Sequence, residues 1–208
     1  AGEKNVEEIY INSPEWYAEN HIALHLMSRV IEIDPKIKKV YTQDGTPYAY
    51  DYLLLATGSN PFVPPIEGIQ KEGVFTFRNM DDTVKIVQRC ETAKEAIVIG
   101  GGLLGLEAAR GILKRGVKVT VVHLMDRLMD MQVDEMGGQF LKREIEKMGI
   151  TVLLNKSTAK IMGHERVEGV EFKDGQVITG DMVVVACGIR PNVELGKKAG
   201  LQINRGIL

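Results

Sequence analysis

Residues 40–61 and 170–191 are two versions of one 22-residue segment, aligned without a gap at an offset of 130. The first reads VYTQDGTPYAYDYLLLATGSNP and the second VEFKDGQVITGDMVVVACGIRP. Val40, Asp44, Gly45, Asp51, Ala56, Gly58 and Pro61 recur as Val170, Asp174, Gly175, Asp181, Ala186, Gly188 and Pro191. Each copy predicts a strand, an Asp-Gly turn, a second strand, a buried aliphatic run and a Gly-x-x-Pro exit. A repeat of this size implies two domains of one design. Between the copies stands Gly100-Gly101-Gly102-Leu103-Leu104-Gly105, attached to the second. The same spacing puts a first-copy counterpart about 30 residues before Ala1, so the chain is expected to lack an N-terminal piece.

The glycine run sits between a short aliphatic strand, Ala96–Ile99, and a helix expected over 103–115, with another strand at Lys118–Val122. In that setting a GxGxxG is a dinucleotide-binding loop. Gly100 permits the tight turn, Gly102 lets the backbone approach a pyrophosphate, and Gly105 lets helix and strand pack closely. The free N–H groups at Leu103 and Leu104 and the positive helix end then hold the phosphates. His123 takes the position after the second strand, where Asp or Glu commonly binds the ribose hydroxyls. A neutral imidazole can bond a ribose without excluding a 2′-phosphate, and a protonated one attracts it. Asp126 or Arg127 can tip the balance either way, so NAD and NADP both stay open. Glu107 reads as an acid complementing the helix dipole in the first turn.

Elsewhere, Ser13-Pro14-Glu15 predicts a helix start, reaching about Asn20. Strands are expected near 23–33, 38–43 and 47–56, with Asp44-Gly45 as hairpin turn. Leu53-Leu54-Leu55 lacks alternation, which predicts a strand covered on both faces. The prolines at 61, 64 and 65 mark an extended connector. A helix is expected from Asp81 to Arg89. Another, capped by Asp134 and closed by Gly149, should bury Met136, Phe140, Leu141, Ile145 and Met148. Strands near 151–155, 167–172, 176–179 and 182–187 follow. The order βαβαβ plus a β-meander predicts an α/β, Rossmann-like, doubly wound parallel sheet, with a partial second domain of the same design.

A net charge of −2 gives no electrostatic reason to expect nucleic acid. No apolar run approaches the roughly 20 residues that span a bilayer. Cys90 and Cys187 form neither a CxxC nor a metal-spaced cluster, and Cys187 reads as core rather than nucleophile. A reduced, cytoplasmic setting is the expectation, with Met125, Met129 and Met131 packing inside.

These motifs together resemble the FAD- and NAD(P)-dependent pyridine nucleotide–disulfide oxidoreductase superfamily, which fuses two related dinucleotide-binding domains. Ala56-Thr57-Gly58-Ser59-Asn60-Pro61 is similar to its ATG exit from the flavin domain, and Gly188-Ile189-Arg190-Pro191-Asn192 to its GxxPN exit from the NAD(P) domain. Glu107 matches the acid of GxxGxE, which the resemblance places near the nicotinamide with Gly188. Three stretches are most similar to the NAD(P)H-dependent nitrite reductase branch: Glu15–Asn20, Ala56–Phe62, and Val122–Met125 continuing at Asp134–Gly138.

The resemblance implies NAD(P)H as cofactor, FAD in the full-length protein, and a redox partner domain or carrier. The expected domains are a flavin-domain remnant over 1–67, an NAD(P)H-binding domain over 68–192 and a return segment over 193–208. No residue here is expected to act as an acid–base catalyst. The isolated chain, lacking the flavin pyrophosphate loop, should purify without stoichiometric FAD and without activity, and self-associate through residues 20–60 as a homodimer. The rivals are a ferredoxin or rubredoxin reductase, an NADH oxidase, and a non-catalytic NAD(H) sensor.

Overall fold

The computed structural model describes residues 6–208. A 3-10 turn (Val6–Ile9) precedes α1 (Pro14–Glu19), β1 (Val30–Asp34), β2 (Lys39–Thr42), β3 (Pro47–Ala49) and β4 (Ser59–Pro61). Then come β5 (Val74–Thr76), α2 (Met80–Cys90), β6 (Glu95–Ile99), α3 (Leu103–Leu113), β7 (Lys118–Val122) and α4 (Glu135–Lys147). The rest comprises β8 (Thr151–Leu153), β9 (Thr158–Met162), β10 (Gly169–Phe172), β11 (Val177–Thr179), β12 (Met182–Val185), β13 (Ile189–Pro191) and α5 (Glu194–Lys198). The chain divides into two compact units, one of Pro61–Ile189 and one of residues 6–60 with Arg190–Leu208. The two passages between them, β4 and β13, pair as a ribbon.

In the larger unit, β5-β12-β6-β7-β8 form a five-stranded parallel sheet. Successive residues of a strand face opposite sides, so a strand buried on both faces needs an unbroken apolar run. Ala96 and Val98 of β6, with Met182 and Val184 of β12, meet Ile86, Leu106, Ala109, Ile112 and Ile145 from α2, α3 and α4. Ile97, Ile99, Val183 and Val185 point the other way, onto Ile161, Val167, Val170 and Phe172 of the β9-β10-β11 meander. Helices therefore cover one face and the meander the other.

The repeat is visible in the backbone. In the smaller unit β1-β2-β3 also form an antiparallel meander. Its turn bonds Gly45 N–H to Thr42 O (2.9 Å) and Thr42 N–H to Thr46 O (3.1 Å). The other meander bonds Gly175 N–H to Phe172 O (2.9 Å) and Phe172 N–H to Gln176 O (2.9 Å). Both turn glycines have positive φ, 84° and 83°. Asp44 and Asp174 each accept the N–H two residues on, at 3.1 and 3.0 Å. These are Asx turns, a strictly local chemistry.

The repeated Asp diverges. Asp181 accepts the Lys94 N–H at 3.0 Å and thereby ties β12 to the start of β6, whereas Asp51 is exposed.

Several expectations are corrected. Val74–Thr76 and Thr158–Met162 are strands that the sequence pattern does not announce. α2 is capped by Asn79, which accepts from Asp82 N–H at 2.9 Å, so the helix begins at Met80 rather than Asp81. The expected strand over 47–56 ends at Ala49, and Leu54 is 88% exposed. The equivalent Val183–Val185 lies between two parallel strands, while no described strand flanks Leu53–Leu55. α4 keeps its Asp134 cap (2.8 Å to Gly137 N–H), but turns Gly138, Leu141 and Ile145 inward and leaves Met136, Phe140 and Met148 exposed. The Arg127 side chain lies directly over Gly138 on that inward face, which leaves no room for a side chain there, while Phe140 stacks under Arg143, 4.4 Å from its guanidinium carbon. Met125 and Met131 are likewise exposed, and only Met129 packs on the core.

Candidate functional site

In open parallel sheets a ligand sits beyond the carboxyl ends of the strands, where the winding changes direction. Here that place lies between β6 and β12, adjacent in the sheet though far apart in sequence. The residues leaving these ends are Gly100 after β6, His123 after β7, and Ala186–Gly188 after β12. The glycine loop, His123 and Gly188 thus share one edge.

Gly100 has φ 123°, and a Cβ there would collide with the Ala186 carbonyl. A Cβ on Gly105 would collide with the Gly100 carbonyl, so these two glycines let α3 start immediately against the sheet. Gly102 is different: its φ is −83°, open to any residue, and a Cβ there would meet nothing within 4 Å. Its bareness serves no packing need. It leaves room at the start of α3.

That helix start is ready for an anion. The first N–H groups of any helix have no intrahelical partner. Ser13, Asn79 and Asp134 cap α1, α2 and α4 with side-chain oxygens, while no side chain caps α3. The N–H groups of Leu103 and Leu104 lie in its first turn, beside the space over Gly102. Glu107 is the fifth residue of α3 and lies beyond that first turn, where the helix dipole has faded. Dipole compensation does not explain it; it lines a groove with Phe77, Thr83 and Ile86.

His123 is held on both sides. Its Nδ1 accepts the Gly101 N–H at 3.0 Å, so Nε2 carries the proton and donates to Asp130 Oδ1, also at 3.0 Å. Gly101 O in turn accepts the Met129 N–H at 2.9 Å. A Cβ on Gly101 would come within 2.5 Å of Leu128 and 2.9 Å of the His123 ring. The loop after β7 and the glycine loop therefore clasp each other at Gly101. Asp130 is a candidate residue that no sequence motif announces. It stands seven residues after His123 in an irregular loop, where no spacing rule links the two. Arg127 spends its guanidinium on Val133 O (3.2 Å), Asp130 O (3.3 Å) and Asp126 (3.0 Å).

In the smaller unit the two exits meet. Thr57 Oγ1 donates to Asn192 O (2.7 Å), Asn192 Nδ2 donates to Thr57 O (2.9 Å), and Asn192 N–H donates to Gly58 O (3.0 Å). Ala56 and Gly58 are exposed there, Gly58 with φ 67°.

Neither cysteine is poised as a nucleophile. Burial pushes the Cys187 thiol up to about 11, and the thiol donates to Ile99 O at 3.4 Å; Cys90 is buried and raised for the same reason. At neutral pH both are protonated, and the thiolate is the reactive form. Native protein at pH 7.5 is therefore expected to react slowly with an aromatic disulfide reagent, with both thiols appearing only on unfolding. Rapid labelling of Cys187 in the native state would contradict this. Among the described residues no cluster of metal-ligating side chains occurs, and no helix is long and apolar enough to cross a membrane.

Comparison with known proteins agrees with this architecture. Nitrite reductase [NAD(P)H] of Bacillus subtilis is 48% identical over 207 residues, covering 100% of this chain and 26% of that protein. NADH oxidase of Methanocaldococcus jannaschii is 39% identical, covering 97% of this chain and 46% of its own length. Among solved structures, the ferredoxin reductase for the CYP199A2 system from Rhodopseudomonas palustris superposes with a TM-score of 0.92 at 29% identity. That match covers 98% of this chain and 50% of the reductase. The chain thus spans between a quarter and a half of the length of these relatives. The pyridine nucleotide-disulphide oxidoreductase family matches residues 3–208, essentially the whole sequence, and the chain belongs to that family.

Proposed function

We propose that the Pro61–Ile189 unit is the NAD(P)H-binding part of a flavoprotein oxidoreductase, in which hydride passes from NAD(P)H to FAD and electrons go on to nitrite. The observation that carries the reading is the start of α3: no side chain caps it, and the glycine beside it leaves open space that no protein packing fills. The family's cofactors are FAD and NAD(P)H. Nitrite as final acceptor is favoured by the 48% identity to the Bacillus subtilis nitrite reductase, against 39% to an NADH oxidase.

In this reading Leu103 and Leu104 donate their N–H groups to the pyrophosphate, and Gly102 admits it to the backbone. Gly100 and Gly105 hold the turn that aims the helix. Glu107 and Gly188 serve the nicotinamide end, and Ala56, Thr57 and Gly58 form the passage from the flavin side. When bound, the nicotinamide nucleotide supplies a two-electron hydride; the protein's share is positioning and electrostatics. Redox partner domains or carriers, and any homodimer, belong to the whole protein.

Titration calorimetry of the 208-residue chain tests the reading. Saturable 1:1 binding of NADH or NADPH with Kd in the micromolar range is expected. No heat and no rise in Tm at millimolar nucleotide would overturn it.

A further inference from the structure

His123 takes the ribose-reading position, yet both its ring nitrogens are committed, to Gly101 N–H and to Asp130. The acid common at that position is therefore present one side chain removed. Asp130 reaches the strand end from the loop, its side chain 19% exposed against 12% for His123. Because Nδ1 accepts, the imidazole is the neutral Nε2–H tautomer, and it does not cancel the carboxylate behind it.

The cations nearby have carboxylates of their own: Arg127 pairs with Asp126 and Lys156 with Asp174. Arg127 is occupied by Asp126, Val133 O and Asp130 O. Lys156, whose N–H bonds His123 O at 2.9 Å, sends its ammonium to Asp174. With those pairs set against each other, the partly buried Asp130 carboxylate is the negative charge left over at the end of β7.

We infer that Asp130, acting through His123, is the residue that selects NADH over NADPH in this chain. The inference rests on the proposed binding of a dinucleotide at the glycine loop. Two effects act together. The Asp130–His123–Gly101 chain holds the imidazole in one orientation at the place where the adenosine ribose of a bound nucleotide lies. The carboxylate's field then falls on the 2′ position. A 2′-hydroxyl is neutral and tolerates it; a 2′-phosphate carries up to two negative charges and is repelled. Rejection by a fixed like charge is a common route to discrimination. Asp126 is the weaker candidate, because it is exposed and paired with Arg127.

The test uses the chain as it stands and reads binding, not turnover. Dissociation constants for NADH and NADPH are measured by calorimetry for the wild type and for Asp130→Asn, at low and at moderate salt. Asparagine keeps an acceptor for the His123 Nε2–H and nearly the same volume, so the loop stays in place and only the charge goes. Asp130→Asn should tighten NADPH binding about tenfold while NADH changes less than threefold, and the gain should shrink as salt rises. A Tm within a few degrees of wild type checks that the variant is folded. If both constants move together, or neither moves, Asp130 merely props the loop and the inference fails while the binding site stands. If the wild type binds neither nucleotide, the site and this inference fall together.

Discussion

Gly102→Val is expected to abolish NAD(P)H binding while leaving the fold intact. The backbone at Gly102 is extended, with φ −83° and ψ −176°, a conformation that a β-branched residue adopts freely. A Cβ there would meet no protein atom within 4 Å, so folding should lose little beyond a poorer N-cap. The same space is where a pyrophosphate must come to reach the Leu103 and Leu104 N–H groups. Two added methyl groups hold the anion off those donors, and hydrogen bonds to a charged acceptor are worth about 1.5–3 kcal/mol each. Losing two of them predicts at least a hundredfold weaker binding. Calorimetry with NADH, beside a thermal melt, separates the two readouts: affinity lost, Tm within about 2 °C. Retained affinity would mean that the nucleotide does not enter over the start of α3.

Gly105→Ala should do the reverse, damaging the fold first. The added methyl has no room, because it would overlap the Gly100 carbonyl and lie 3.5 Å from the Ala186 side chain. The obstacle is backbone, not the tip of a flexible side chain, so α3 must lift off β6. Overpacking of this kind costs about 1–3 kcal/mol or more, and α3 contributes five buried residues to the core: Gly105, Leu106, Ala108, Ala109 and Ile112. Urea unfolding of Gly105→Ala should show a loss of unfolding free energy of that size, read as a lower midpoint. A stability equal to wild type would mean that the helix start is looser than its contacts imply. Together the two glycine variants separate the ligand's space from the protein's own packing, although the motif treats both positions alike.

Features governed by neighbouring residues were the ones legible in the sequence. The Asp-Gly turns, the Ser13 and Asp134 caps, the limits Lys118–Val122 and the glycine turn all follow from chemistry within four or five residues. What could not be read depends on partners far along the chain. β5 and β9 have three and five residues, and β5 exists only because β12 supplies its hydrogen bonds. The apolar period of α4 fits two faces, and the face that packs is the one whose Gly138 leaves room for Arg127, a residue outside the helix. Leu53–Leu55 repeats the hydrophobicity of Val183–Val185 without the flanking strands that bury the latter. In the site, the glycines could be assigned positions from their spacing. The commitment of His123 to Asp130 could not, since the two meet across an irregular loop.

The clasp at Gly101 bears on how a ligand would be received. Its amide N–H is taken by His123, its carbonyl by Met129, and its bare α-carbon is pressed by Leu128, which is fully buried. Arg127 then fastens the same loop to itself and to α4. A segment tied at so many points has little freedom left to surrender when a nucleotide arrives. Loops that must order on binding forfeit affinity to that ordering, at roughly 0.5–1.5 kcal/mol per immobilised side chain. Here that loss has already been taken during folding. The same stiffness should resist piecemeal redesign: residues 124–133 and the glycine run are joined at Gly101, so a homologue's version of either is expected to fit best when both are exchanged together.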